Sequence, residues 1–267
     1  MSIQTLYTAA TGMQSLETKL DVIANNLANV NTTAFKRDRC NFEDLFYRHL
    51  RMPGAQDATS QLTPTGIQVG LGSVVQSTQT QFQQGGFAQT TSELDLAIEG
   101  KGFFQVQDTN GNFLYTRAGN FSVNDQGTVV VGSANVGRIL LPQLTIPPDA
   151  TSITVSADGI VSITQAGNPL QQQIGQIQLA QFVNPQGLIK LGENMYSETN
   201  ASGAVQLQNP NINGVGTIRQ RMLELSNVEP VTELVDLITT QRAFELNSQC
   251  VQAGDQVLQL IANLRRF

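Results

Sequence analysis

Side chains able to do acid–base or nucleophilic chemistry are few and scattered in this sequence. Its single histidine, His49, lies in a polar stretch between Arg48 and Arg51, and any Ser–His–Asp site would have to use it. No nucleophile-elbow pattern accompanies it. Asp95 and Glu99 are a conceivable acid/base pair, but the sequence does not bring them together. We therefore predict no catalytic residues and a protein that is not an enzyme.

Cofactor and metal sites are not indicated either. The glycine pairs complete neither a dinucleotide-binding motif nor a phosphate-binding loop, and they favour β-turns and bulges; they are Gly70/Gly72, Gly85/Gly86, Gly100/Gly102 and Gly214/Gly216. Two cysteines are too few for a disulfide framework or a metal cluster. Cys250 is interpreted as a small core residue. We predict no cofactor and no metal.

The composition excludes several partners. Only 13% of the residues are charged, against about 25% in a typical domain. Neutral polar groups replace them, which favours surfaces that other subunits cover, although a low-complexity, partly disordered middle region is the alternative. A net charge of −6 without a basic block argues against nucleic acid. No apolar run reaches the roughly 20 residues that cross a bilayer, so no direct membrane insertion is predicted. The N-terminus lacks a Sec-type signal pattern, so we expect no cleaved signal peptide.

Two long helices are predicted at the ends of the chain. The first covers Leu6–Val30, beginning near Ser2, and its apolar residues recur every seven positions. The second runs from Thr232 to about Arg266 and carries two apolar stripes, a face too wide for a single dimeric seam. We predict helix packing through Leu6, Met13, Leu16, Leu20, Ile23, Leu27, Leu237, Phe244, Leu246, Val257 and Leu260.

An asparagine-rich run closes the first helix. Asn25 and Asn29 fall off the apolar seam, and asparagine is a weak helix former. Two interpretations stay open at this point: these residues fray the helix end on a solvated face, or they hydrogen-bond to neighbouring helices in a crowded array.

The middle of the chain has a different pattern of apolar and turn-forming residues. A short helical turn is predicted around Asn41–Leu50, followed by a polar, turn-rich loop or hairpin over residues 51–66. From Ile67 to about Gln208, short apolar runs alternate with turn signals roughly every ten residues, which indicates a β domain.

Three motifs in order along the chain resemble those of bacterial flagellar rod and hook proteins. The first is the run from Asn25 to Lys36, the second covers Asp95–Val106 and Tyr115–Phe121, and the third covers Ser226–Pro230 and Leu234–Ser248. The family motif residues we single out are Asn25, Asn26, Asn29, Asn31, Ser226, Asn227, Gln241, Arg242 and Asn247.

Within that family, the chain is most similar to subunits of the distal rod. A segment at about residues 46–66, here called the insert, resembles one that the distal rod carries and the usual hook protein lacks; it includes Pro53, Gly54, Pro64 and Gly66. One position departs from the family pattern: Arg221 follows Gln220 where the family usually has glycine. The backbone at Arg221 is therefore of interest.

The resemblance implies an α+β fold. It has long terminal helices paired as a coiled-coil-like inner domain, a connecting hairpin region and an inserted, mainly-β outer domain. The implied domains are 1–32 plus 231–267 (inner, tube-lining), 33–72 plus 211–230 (connecting) and 73–210 (outer β domain). Because two solitary helices have little to bury against, we also expect them to be largely disordered in the free monomer.

The function that the resemblance implies is structural. Copies would self-assemble into a rigid, hollow drive shaft that transmits torque from motor to hook and lets exported proteins pass. Partners would be proximal rod subunits, hook subunits, the surrounding periplasmic and outer-membrane bushing rings and the flagellar type III export apparatus. The location would be the distal rod of the basal body, crossing the periplasm to the outer membrane. Alternatives are a proximal rod or hook-type axial subunit, or a secreted β-domain hydrolase or adhesin.

Overall fold

A computed structural model describes residues 3–54, 64–132, 137–166 and 168–264. Two α-helices enclose a long β-rich stretch, which makes the fold α+β. The helices are α1 (Ile3–Ala28) and α2 (Pro230–Leu264), and a short 3-10 helix covers Pro185–Gly187. Neither α-helix has a described stretch long and apolar enough to span a membrane.

The strands are β1 (Asp38–Asp44), β2 (Tyr47–Arg51), β3 (Ile67–Gly70), β4 (Ser73–Thr80), β5 (Phe87–Gln89), β6 (Leu96–Glu99), β7 (Phe103–Gln107), β8 (Phe113–Thr116), β9 (Phe121–Val123), β10 (Val129–Gly132), β11 (Gly137–Leu141), β12 (Ala150–Val155), β13 (Ile160–Gln165), β14 (Asn168–Gln176), β15 (Leu179–Gln181), β16 (Ile189–Gly192), β17 (Met195–Ser197), β18 (Gln206–Gln208), β19 (Thr217–Gln220) and β20 (Met222–Glu224).

The chain divides into two compact units. The helical unit comprises Met1–Ala28, Asp38–Thr80 and Glu229–Phe267. The β-rich unit comprises Asn29–Arg37 and Gln81–Val228. These bounds differ from those of the predicted three-part division into inner, connecting and outer domains, which stays a prediction.

Both helices follow local sequence signals. In α1 helix-favouring residues dominate, and the helix ends at Ala28 inside the asparagine run. In α2 the first helical residue is Pro230, whose fixed φ suits the first turn and whose missing N–H costs nothing there. Glu233 follows in the first turn, where the helix dipole favours a negative charge. The predicted helix ends therefore lie within a few residues of the observed ones, and the proposed N-cap Ser2 lies outside the described residues.

Two small antiparallel sheets complete the helical unit, and they correct one prediction. Strand β1 pairs with β4, and β2 pairs with β3. The residues predicted as a helical turn, Asn41–Leu50, are instead parts of β1 and β2. The reason is long-range pairing: Asn41 donates a hydrogen bond to Ser77 Oγ across the sheet at 3.1 Å, and local propensity cannot foresee such a partner.

The β-rich unit is built from antiparallel strands joined by tight turns. Its largest sheet has the order β16-β17-β8-β7-β11-β10-β9, and β15 connects β7 to β18. A second sheet has the order β12-β13-β14, and the pairs β19–β6 and β20–β5 lie beside them. Gly159 shows why the turns form where the sequence predicts them: its φ of +78° in the β12–β13 hairpin is a conformation that glycine adopts without strain.

One apolar core holds this unit together. Buried side chains from strands of several pairs meet in it, and Phe104 and Phe121 pack edge to face with ring centroids 5.1 Å apart. A second, aromatic cluster contains Phe103, Tyr115, Phe182 and Tyr196. Since the chain has four tyrosines and no tryptophan, and Tyr7 and Tyr47 are exposed, the tyrosine near-ultraviolet signal reports mainly on this unit.

Arg221 lies in a left-handed backbone conformation, with φ of +58°, between β19 and β20. Glycine, the residue expected there from the resemblance, adopts this conformation without the steric cost of a Cβ atom. The Arg221 side chain makes an exposed ion pair with Glu93 at 2.7 Å.

We predict that Arg221→Gly raises the free energy of unfolding by about 0.5–1 kcal/mol. Relief of a cost of about 1–2 kcal/mol should exceed the loss of an exposed ion pair worth about 0–1 kcal/mol. Urea unfolding followed by tyrosine circular dichroism measures this change in the free energy of unfolding. The control is Arg219→Gly, because Arg219 has an exposed partner, Glu99, but lies within β19. A loss of stability in Arg221→Gly as large as in the control would show that no strain is relieved.

Candidate assembly surface

The two helices pack against each other in antiparallel orientation. Near one end, a methyl group added at Gly254 would lie 2.6 Å from Cδ2 of Leu6. Farther along, one added at Gly12 would lie 3.3 Å from Nδ2 of Asn247. Small residues thus let the helices approach closely. At the other end, Asn26 contacts Glu233.

Asn26 is the buried member of the asparagine run. Its Nδ2 donates to the carbonyl oxygen of Asp38 at 2.9 Å and to Glu233 Oε2 at 3.3 Å, while its Oδ1 accepts from the Asp38 N–H at 2.9 Å. An amide supplies both donors and an acceptor, so it satisfies buried polar groups on two other segments at once. Asn26 therefore anchors the end of α1 to β1 and to the start of α2.

The remaining family motif residues have varied surroundings. Asn25, Asn31, Gln241 and Arg242 are exposed, and Asn29 is half-buried. Asn29 Oδ1 accepts a hydrogen bond from Thr32 at 3.1 Å, so its side chain stabilises the turn after α1. Ser226 Oγ accepts one from the Val228 N–H at 3.2 Å.

The structure separates the two predicted stripes of α2. The half-buried stripe toward α1 contains Leu237, Phe244, Val251 and Leu258, and beside it runs a seven-residue series of mostly non-apolar residues: Glu233, Thr240, Asn247 and Gly254. On α1, Ile23 is buried, and the other predicted packing residues, Leu6, Met13, Leu16, Leu20 and Leu27, are half-buried.

The other stripe of α2 is left uncovered by the described residues. Leu246 and Leu260 are 62% and 63% exposed, although Val257 between them is half-buried. Cys250, which the sequence indicated as a core residue, is exposed, because α2 meets α1 through the neighbouring Asn247 and Gly254. Further exposed apolar residues on this helix are Val231, Leu234, Val235, Ile238 and Ile261. Helix packing through Leu246 and Leu260 thus stays a prediction.

The hairpin of β2 and β3 is a second exposed apolar surface. Phe46, just before β2, is 87% exposed, and Tyr47, Leu50, Met52 and Ile67 are also exposed. In the insert, Pro53, Gly54 and Pro64 are exposed. Gly66 is half-buried, and a Cβ atom added there would clash with the Arg51 carbonyl oxygen. Residues 55–63 of the insert lie outside the described residues. A two-stranded hairpin is marginal in water unless something packs against it.

The potentially catalytic side chains are not assembled into a site. His49 is exposed on β2, opposite Gln68 of β3. Asp95 immediately precedes β6, and Glu99 is the last residue of that strand. Across the part of the chain that the structure describes, no group of three or more His, Cys, Asp or Glu residues could hold a metal ion.

A buried charge cluster in the β-rich unit was missed by sequence reasoning. Glu224 accepts from Lys36 Nζ at 2.7 Å and from Arg117 Nε at 2.8 Å, and all three side chains are essentially inaccessible to solvent. Arg117 also donates to the carbonyl oxygens of Gly102 and Gly100, each at 3.0 Å. Lys36 and Arg117 belong to two of the family motifs, and Glu224 precedes the third by two residues. Their convergence depends on the fold, and no local sequence signal indicates it.

Burial and charge oppose each other in this cluster. Burial lowers the pKa of Lys36 to about 8, against the attraction of Glu224, so the ammonium group persists at pH 7. Burial alone would raise the pKa of Glu224, but the adjacent Arg117 and Lys36 outweigh it and hold that pKa below its usual value. Two cations and one carboxylate are therefore charged together in the interior.

Comparisons with known proteins identify the family of this chain. Three family models match: Flagella basal body rod protein over residues 6–36, Flagellar hook protein FlgE/F/G D1 domain over 97–163, and Flagellar basal body rod FlgEFG protein C-terminal over 219–264. A solved hook protein, FlgE2 of Helicobacter pylori, has 16% sequence identity and a TM-score of 0.24, over 70% of this chain and 43% of that one.

Full-length relatives agree with the family models. The Flagellar basal-body rod protein FlgG of Caulobacter vibrioides is 45% identical over 98% of this chain and 100% of its own. The FlgG proteins of Borreliella burgdorferi and Bacillus subtilis are each 39% identical over 99% of this chain, and the alignments cover 99% and 100% of those proteins. The chain therefore belongs to the FlgG family of flagellar basal-body rod proteins.

Proposed function

We propose that this chain is a structural subunit of the flagellar distal rod, and that many copies self-assemble into a rigid hollow shaft. Its family is one of structural rod proteins rather than enzymes. The main support for the proposal is the uncovered apolar stripe of α2, a helix that also packs against α1. A second helix surface of this kind suits a protein that packs between copies of itself.

The terminal helices would then form the inner wall of the shaft. We propose that α1 and α2 form a coiled-coil-like pair and that the pairs from neighbouring copies line a channel for exported proteins. The predicted inner (1–32, 231–267), connecting (33–72, 211–230) and outer (73–210) domains belong to this proposal. The seven-residue repeat of the packing residues and the low charge of both helices support it.

The same proposal covers partners and location. Proximal rod subunits and hook subunits would contact the two ends of the shaft, and periplasmic and outer-membrane rings would surround it. The type III export apparatus would deliver the subunit. Support for these partners comes from the rod and hook family models that this chain matches.

The uncovered stripe gives the direct test of assembly. In Leu246→Gln/Leu260→Gln, seeded tubes should require a protein concentration more than about tenfold higher, because burying each leucine contributes about 1.5–3 kcal/mol. Sedimentation and electron microscopy of seeded samples measure this. The control is Leu170→Gln, because Leu170 is an exposed leucine on β14 of the β-rich unit. Normal tubes from the double variant, or no tubes from the unaltered protein, would contradict the proposal.

We further propose that the insert braces neighbouring subunits. The exposed apolar residues of the β2–β3 hairpin, headed by Phe46, support this role. Tubes assembled from a chain in which residues 46–66 are replaced by a short linker should bend visibly in electron micrographs. Tubes as straight as those of the unaltered chain would remove the reason for proposing a brace.

A further inference from the structure

Asn227, a family motif residue without an assigned role, joins three separate stretches of backbone in the β-rich unit. Its Oδ1 accepts a hydrogen bond from the Arg37 N–H at 2.7 Å. Its Nδ2 donates to the carbonyl oxygens of Gln81 at 2.8 Å and Gln83 at 3.1 Å. Asn227 itself lies in the stretch that follows β20. One half-buried amide therefore links the segments 33–37, 81–86 and 222–228.

Glu224 joins the same three segments from the interior. Its Oε1 accepts from Lys36 Nζ at 2.7 Å and from the Gly85 N–H at 3.2 Å, and its own carbonyl oxygen accepts from the Ala34 N–H at 2.8 Å. Backbone hydrogen bonds add to these links, from the Gln81 N–H to the Arg37 carbonyl at 2.8 Å and from the Leu225 N–H to the Gly86 carbonyl at 2.8 Å.

These segments have a particular place in the chain. The β-rich unit consists of two stretches, Asn29–Arg37 and Gln81–Val228. The residues joined by Asn227 and Glu224 therefore include three of the four ends by which this unit continues into the rest of the polypeptide. Hydrogen bonds among three chain ends, arranged around two side chains, form a closed set in which each bond restrains the geometry of the others.

We infer that Asn227 and Glu224 form a clasp that locks these three chain ends together as one cooperative element. A pull on any one of them is then shared by all three and by the buried charge cluster. That mechanical consequence rests on the proposed function, since a drive shaft loads each subunit through these chain ends. Within the clasp, Asn227 is a positioning residue, and asparagine suits it because an amide offers an acceptor and two donors on one short side chain.

Amide-resolved hydrogen exchange on the free full-length chain tests the clasp without any assembly. The variants are Asn227→Ala, which removes all three side-chain bonds, and Asn227→Asp, which keeps the acceptor but removes both donors. The informative amides are Ala34, Gln81 and Gly85, because none of them bonds to the Asn227 side chain. Amides of Val106 and Leu140, both fully buried, show whether the core is intact.

In both variants, the amides of Ala34, Gln81 and Gly85 should exchange together at least about tenfold faster, while those of Val106 and Leu140 stay unchanged. The control is Asn194→Gly, which removes a single bond to the Thr33 carbonyl at a position where φ is already +61°, so glycine introduces no strain. Asn194→Gly should leave the exchange rates of the Gln81 and Gly85 amides unchanged. If Asn227→Ala accelerates only the Arg37 amide, its bonds are independent and the clasp does not exist. Because this experiment uses monomer, failure of the clasp is distinct from failure of tube assembly.

Discussion

Glu224→Gln should lower the free energy of unfolding of the β-rich unit by about 3–5 kcal/mol, because it leaves two buried cations without their counter-charge. Lys36 and Arg117 both contact this carboxylate, at 2.7 and 2.8 Å, and none of the three groups reaches solvent appreciably. A glutamine amide keeps the shape but supplies no negative charge. Urea unfolding followed by the tyrosine near-ultraviolet signal measures the loss, since Tyr115 and Tyr196 are buried in the affected unit.

The matched control is Glu99→Gln. Glu99 also makes two hydrogen bonds to an arginine, at 2.6 and 2.8 Å from Arg219, but its side chain and that of Arg219 are 43% and 45% exposed. Exposed ion pairs contribute about 0–1 kcal/mol, so this variant should change little. Equal effects of the two substitutions would show that burial of the charge cluster is unimportant.

Acid sensitivity gives the same prediction a second signature. The pKa of Glu224 is lower in the folded chain than its usual value of 4.5, because Arg117 and Lys36 outweigh the effect of burial. Its ionisation therefore stabilises the fold fully above that usual value, and the stabilisation is lost as the pH falls through the lowered folded pKa. The difference between the unaltered chain and Glu224→Gln should accordingly shrink in acid. If this difference in unfolding free energy stays constant even at a pH where Glu224 is protonated, the stabilisation is not electrostatic.

Gly119→Ala should be the most damaging small substitution in the β-rich unit, with a loss of about 3 kcal/mol or more. A Cβ atom at Gly119 would lie 1.6 Å from the carbonyl oxygen of Leu96, far inside contact distance. The obstacle is backbone rather than a movable side chain, and the Leu96 N–H is itself bonded to the Gly119 carbonyl at 2.9 Å. The clash can be relieved only by separating β6 from the segment before β9.

Gly137→Ala is the control for this substitution. Gly137 lies in β11 of the same unit, and an added Cβ there would meet Val130 at an ordinary 3.8 Å. The unfolding free energy of the Gly137→Ala variant should differ from that of the unaltered chain by less than about 1 kcal/mol. The same urea titration serves both variants, and a mild effect of Gly119→Ala, similar to that of the control, would mean that the two segments are not held as the structure shows them.

How far sequence reasoning reached differs from element to element. The helices could be predicted because a seven-residue repeat of apolar side chains persists over many turns. The sequence could not show which stripe of α2 faces α1, because both stripes are apolar and the orientation of α2 depends on its partner helix. A usable signal was present in the series Glu233, Thr240, Asn247 and Gly254, whose small or amide-bearing members suit close packing.

Other features required the fold itself. The segment Asn41–Leu50 lies in two strands because β4 and β3 pair with it. The residues of the segment do not themselves indicate these pairing partners. The cluster of Lys36, Arg117 and Glu224 joins residues far apart in the chain, and each of them taken alone resembles an ordinary surface charge. By contrast, the departure at Arg221 was visible as a residue type, and a φ of +58° there shows why glycine suits this position.

We propose that the terminal helices are completed only when copies of the chain pack side by side. Hydrogen exchange of the free monomer and of seeded tubes tests it most directly. We expect the amides of α1 and α2 to exchange quickly in the monomer and at least about a hundredfold more slowly in tubes, while those of the β-rich core change little. Helix amides that are as protected in the free monomer as in the tubes would contradict it.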